Sequence, residues 1–97
     1  MCLVADSLFN EGEVEIKSSN VVMEAKINSS CSNVAKVVVV FTANSGTQEF
    51  ELTNRNNGIY KLTKKVTQFK QFNLYRLVEI EAYDTEGNLI ATKEVNI

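Results

Sequence analysis

The sequence has no histidine and no proline, holds only two cysteines in 97 residues, and contains no apolar run longer than Val37 to Phe41. Each absence removes a class of function. Without histidine, the commonest general base and the usual partner of a nucleophilic serine or cysteine are missing, which takes most hydrolase templates with it. Two cysteines as far apart as Cys2 and Cys31, with no histidine to join them, cannot assemble a structural zinc set. An apolar run of that length falls far short of the roughly 20 residues that cross a bilayer, and the opening residues lack a cationic, apolar-cored leader. The expectation is a chain with no membrane span and no visible targeting segment. Met1 directly before Cys2 is compatible with a leader or anchor lying outside it. The glycines Gly12, Gly46, Gly58 and Gly87 are isolated from one another, so no phosphate-cradling loop is present.

What remains is ordinary for a globular domain. The apolar fraction is 44% and the charged fraction 23%, and residues 1–97 are enough for one domain around one core but not for two. Net charge is -2, too near neutral for a nucleic-acid binder. The cations nevertheless gather at Lys61, Lys64, Lys65, Lys70 and Arg76, and the acids at Glu11 to Glu15 and Glu79 to Glu86. With no aromatic platform beyond Phe69 and Phe72, these read as solvated strand faces rather than a base-stacking surface.

Periodicity sets the fold class. Val14 and Ile16 alternate with Glu13, Glu15 and Lys17, and Val21, Met23, Ala25 and Ile27 alternate with Val22, Glu24, Lys26 and Asn28, the two-residue period of half-buried strands. Met1 to Asn10 has a looser pattern, expected to form an irregular first strand. Val34 to Ala43 is apolar on both faces and should lie centrally, with Val37, Val39 and Phe41 on one side and Val38 and Val40 on the other. The second apolar face, Val38 and Val40, is therefore a candidate interaction surface. Asn44-Ser45-Gly46 and Asp84-Thr85-Glu86-Gly87-Asn88 are hairpin turns, and Asn54 to Gly58 is a loop of residues that tolerate left-handed backbone. Phe50, Leu52, Tyr60, Leu62 and Val66 supply further inward positions. In the long strand expected over Leu74 to Tyr83, Tyr75 and Leu77 have the opposite parity to Val78, Ile80 and Ala82. That conflict predicts a β-bulge near Arg76. The result is an all-β, immunoglobulin-like two-sheet sandwich of about seven antiparallel strands, with a small barrel as the competing architecture.

Candidate chemistry is sparse. Glu79 with Glu81 and Glu49 with Glu51 are i, i+2 pairs on outward, solvated faces, the ordinary place for surface acids. Asp84, Glu86 and the Gly87 backbone could approach a calcium ion, but two carboxylates are few for that and a plain turn suffices. Cys2 and Cys31 have no nameable base to activate either as a nucleophile. Paired, they close a loop of nearly thirty residues, worth about 3 to 4 kcal/mol in the chain-entropy model, and imply an oxidising compartment; the alternative is two free thiols in a cytosolic chain. Asn28-Ser29-Ser30 fits the N-glycosylation sequon. No enzyme activity, metal or cofactor is expected.

Val37 to Ala43 with its hairpin, then Gly58-Ile59-Tyr60-Lys61-Leu62, then Tyr75 leading through Val78, Ile80 and Ala82 to Asp84-Thr85-Glu86-Gly87-Asn88, resembles immunoglobulin-like and fibronectin-III-like modules of cell-surface proteins. The resemblance covers residues 34–97 and implies a noncatalytic extracellular or cell-envelope module for adhesion, structural spacing or protein interaction. Tyr75 falls where such modules place a corner tyrosine. The Cys2 and Cys31 spacing, with Cys31-Ser32-Asn33, Gln48-Glu49-Phe50 and Gly58-Ile59-Tyr60, is also similar to the lumenal domain of the translocon-associated protein delta-subunit family, which implies an accessory subunit of an endoplasmic-reticulum membrane complex. The expected partners are proteins or neighbouring domains, not nucleic acid; oligomeric state is not set by the sequence.

Overall fold

Alternating side chains and glycine-rich or asparagine-rich turns make most of the chain extended. The computed structural model describes residues 8–28, 34–44, 46–69 and 75–96. Eight strands run through them: β1 Phe9–Lys17, β2 Asn20–Ile27, β3 Val34–Ala43, β4 Gly46–Glu51, β5 Thr53–Asn54, β6 Ile59–Lys65, β7 Leu77–Asp84 and β8 Leu89–Val95, with a 3-10 turn at Val66–Gln68. They form two four-stranded sheets, in the orders β1-β2-β6-β5 and β4-β3-β7-β8, and every paired neighbour is antiparallel.

Taking β4 as an added hairpin partner of β3, this is the immunoglobulin arrangement: first, second, fifth and fourth strands in one sheet, third, sixth and seventh in the other. The expected all-β sandwich is therefore present. Inward positions of both sheets meet in one core containing Val21, Met23, Ala25, Val37, Val39, Phe41, Tyr60, Val78, Ile80 and Ala82. Where β5 is too short to cover β4, an aromatic group fills the gap: the Phe41 ring lies 5.0 Å from Phe69 and 5.1 Å from Tyr75, and Phe50 lies 4.6 Å from Phe69, within the range in which such rings attract.

The turns follow their residue types. Ala43 pairs with Gly46 across a two-residue loop, and Asn56, Asn57 and Gly58 all have positive φ between β5 and β6. Gly87 has φ of 85° in a turn organised by Asp84, whose Oδ1 accepts the N–H of Glu86 and that of Asn88, each at 2.9 Å. These bonds, chiefly the one from Asn88, hold the Asp84 carboxyl below its ordinary range. Their contribution is present above the unfolded carboxylate value and is lost as pH falls through the lowered folded one.

Several expectations are corrected. The bulge predicted near Arg76 is not in the ladder; the register shifts of β7 lie at Val34/Lys36 in its pairing with β3 and at Ala82/Tyr83 in its pairing with β8. The parity conflict resolves differently: β7 begins at Leu77, so Tyr75 stands outside the alternation and can turn to the core side against Phe41. Phe9 and Val14 belong to one strand joined by an irregularity between Phe9 and Glu11, not to an irregular first strand followed by a second. Val14 is buried, but Ile16 is 45% exposed although Val21, its partner across the ladder, is fully buried; β1 is an edge strand, with no further strand beside it. Cys2, Cys31, Ser29 and Ser30 lie outside the described residues, and so does any bridge between the two cysteines.

Candidate interaction surface

Val38 and Val40 lie on the face of β3 that points away from the other sheet. Their neighbours Val37, Val39 and Phe41 belong to the core, whereas Val38 and Val40 do not join it, yet they are only 5% and 8% exposed. The register explains the shielding. Val38 stands between Glu51 of β4 and Glu81 of β7, and Val40 between Glu49 of β4 and Glu79 of β7. On the far side of β7, Glu94 of β8 stands directly opposite Glu79, and Thr92 opposite Glu81. This second apolar face is thus a covered one, a floor of two valines beneath rows of carboxylates, because alternation brings a glutamate to each flank of each valine.

Five glutamates therefore share one outer face: Glu49, Glu51, Glu79, Glu81 and Glu94. Among the described residues the ion pairs are Lys17–Glu15, Lys26–Glu11 and Lys61–Glu24, all on the β1-β2-β6-β5 sheet. That sheet also has a like-charge pair, Glu13 opposite Glu24, but there Lys61 lies 4.0 Å from Glu24. The Glu79 and Glu94 pair has no such relief, and like charges directly opposite cost stability. Lys36, at the end of the acidic face, stands with its ammonium 4.7 Å from the Tyr83 ring centre.

The field of this face is felt by Tyr83. Its hydroxyl donates to Glu81 Oε1 at 2.7 Å, and that bond, with burial and the negative charge of Glu81 and Glu49, pushes its pKa up to about 12. A raised phenol favours folding below its unfolded value near 10 and loses that contribution as pH rises through about 12. An ultraviolet titration is expected to show a late-ionising tyrosine that Glu81→Gln moves back toward the ordinary range. An unchanged profile in Glu81→Gln would remove the Glu81 bond from the account.

Elsewhere the chemistry is spare. Among the described residues no group of three or more acids and cysteines is placed to hold a metal ion, and no helix is long and apolar enough to cross a membrane. A cleft of about 220 Å³ lies at the start of β7 and the end of β8, lined by Tyr75, Arg76, Glu94 and Asn96 among others; ligand pockets begin at about 300 Å³. Arg76 Nη1 donates to Asn44 Oδ1 across that end. Among the described residues the basic side chains do not converge: Lys61 is paired with Glu24, and along β6 Lys64 alternates with Lys61 and Lys65, opposite Val21, Glu24 and Asn20 respectively; Lys70 and Phe72 lie outside the described residues. Asn28, the sequon asparagine, is half-buried just beyond β2, its backbone N–H bonded to the Leu8 carbonyl at 2.7 Å. The glutamate rows were missed in the sequence because Glu49, Glu51, Glu79, Glu81 and Glu94 come from three strands, and only the register brings them round Val38 and Val40.

No protein-family model matches the chain, and no curated protein does. Among solved structures it is similar to one described as "Crystal structure of carbohydrate-binding module family 56 beta-1,3-glucan binding domain", at 17% identity and a TM-score of 0.48, over 89% of this chain and 96% of that one.

Proposed function

We propose that this domain is a noncatalytic protein-interaction module whose docking surface is the outer face of the β4-β3-β7-β8 sheet, and that its partner presents lysine or arginine to that face. The observation that carries the reading is the ring of glutamates around Val38 and Val40, none of them in an ion pair among the described residues. Rows of carboxylates without partner cations suit a basic side chain, whose methylene stem lies along the glutamate side chains that cover the valines while its head reaches the carboxylates. Carboxylates held around an apolar floor raise the association rate of a basic partner and exclude acidic ones. The extracellular or cell-envelope setting is part of the same proposal and rests on pairing of Cys2 with Cys31; a gain of about two daltons on reduction is the expected sign of the bridge.

The test is a titration of isotope-labelled protein with a lysine-rich peptide. Amide shifts are expected at Val38, Val40, Glu79 and Glu81, fading as salt screens the charges, and Glu79→Gln with Glu81→Gln should weaken binding about tenfold, which is about 1.4 kcal/mol. Shifts confined to the other sheet, or a response to a β-1,3-glucan oligosaccharide in place of the peptide, would overturn the reading.

A further inference from the structure

We infer that the free edge of β4 accepts an added strand from this basic partner, with lysine or arginine at every second position beside Glu49 and Glu51. The inference rests on the interaction reading above and goes beyond it by fixing where the partner's backbone lies.

Two four-stranded sheets have four edges: β1 and β5 in one, β4 and β8 in the other. β1 and β8 approach each other across the sandwich, an added Cβ at Gly12 lying 2.7 Å from Ile80 Cδ1 and 3.0 Å from Lys93 Cδ. Charge sets these two edges apart from β4: Glu11 and Glu15 of β1 already have lysine partners, and β8 carries a single glutamate, Glu94. β5 has two residues. β4 has six, Gly46–Glu51, and among the described residues it pairs with β3 alone.

The direction of its free groups follows from the ladder. Leu52 N–H donates to the Val37 carbonyl at 2.8 Å, and bonding positions recur every second residue in an antiparallel pair. Phe50 and Gln48 therefore turn their backbone groups toward β3, and Glu51, Glu49 and Thr47 turn theirs outward. The same alternation puts the side chains of Glu49 and Glu51 on the acidic outer face, beside Val40 and Val38. A strand laid along this edge would satisfy those backbone groups and set alternate side chains about 5 Å from Glu49 and Glu51. Charge chooses the occupant. A second copy using its own β4 would place glutamates against glutamates, whereas a strand with a cation at every second position completes two cross-strand pairs.

The experiment uses the full chain, isotope-labelled, with a capped peptide alternating lysine and threonine and a control alternating glutamate and threonine. With the lysine peptide at tenfold its dissociation constant, exchange at the amides of Thr47, Glu49 and Glu51 should slow by about tenfold. The β1 edge should be unaffected, and the glutamate peptide should do nothing. Thr47→Pro removes one outward donor at a position where an edge strand tolerates proline; it should keep the folded amide spectrum and weaken the lysine peptide. If that peptide shifts Val38, Val40, Glu79 and Glu81 while the Thr47, Glu49 and Glu51 amides exchange as before, strand addition is wrong and the face reading stands. If no amide responds, both are wrong.

Discussion

Val39→Lys is expected to prevent folding, whereas Val40→Lys, one position along the same strand, is expected to yield a folded domain of nearly unchanged stability. Val39 is fully buried between the sheets, and its register partners Phe50 and Ile80 are apolar. An ammonium there has no counter-ion. An uncompensated buried charge costs several kcal/mol, comparable with the whole stability of a small domain, about 5 to 15 kcal/mol. Val40 is nearly as well shielded, 8% exposed, but its shield is Glu49 and Glu79 rather than a second sheet. Losing the valine gives up part of a burial worth about 1.5 to 3 kcal/mol. The lysine stem restores some of it, and each new opposite-charge pair across the strands returns about 0.2 to 1 kcal/mol. The net change should stay within about 1 kcal/mol. Urea unfolding of both variants reads the contrast directly, and a Val40→Lys protein that fails to fold would mean that something other than glutamates covers that face.

This contrast also marks how far the sequence could be read. Alternation identified Val37, Val39 and Phe41 as one face of a central strand and Val38 and Val40 as the other, and both assignments agree with the register. The hairpin at Asn44 and the turns at Gly58 and Gly87 were legible because glycine and asparagine are favoured where φ is positive. What covers Val38 was not legible, since Glu51 and Glu81 are thirty residues apart in the chain and meet only through strand pairing. The same limit produced the error at Arg76. Tyr75 and Val78 have opposite parity within an assumed single strand, and the sequence does not reveal that the strand starts only at Leu77. Ile16 marks a related limit: alternation says which way a side chain points, but not whether its strand stands at the edge of a sheet. The acidic surface was hidden because it is a property of three strands at once, with nothing in any one of them to set Glu49, Glu79 and Glu94 apart from the glutamates of β1.

Gly58→Ala should cost several kcal/mol, well beyond Gly87→Ala, although the two glycines have nearly the same φ. Their φ angles are 79° and 85°, so an alanine at either pays the left-handed penalty of about 1 to 2 kcal/mol. At Gly87 nothing lies within 4 Å of where the new methyl would stand, and the penalty should be the whole effect. At Gly58 the methyl would lie 2.6 Å from the carbonyl oxygen of Ile27. Backbone cannot rotate away as a side chain can. The collision falls on the bond that ties the loop to β2, where Ile27 N–H donates to the Gly58 carbonyl at 2.7 Å. Losing a buried backbone bond adds about 1 to 3 kcal/mol, on top of strain spread into the β2–β6 ladder, which carries Met23, Ala25 and Tyr60 into the core. Chemical unfolding of the two variants side by side isolates the collision, because the positive φ is common to both. Equal losses at the two positions would show that the Ile27 carbonyl can move aside, and that the join between β2 and the loop before β6 is looser than the geometry requires.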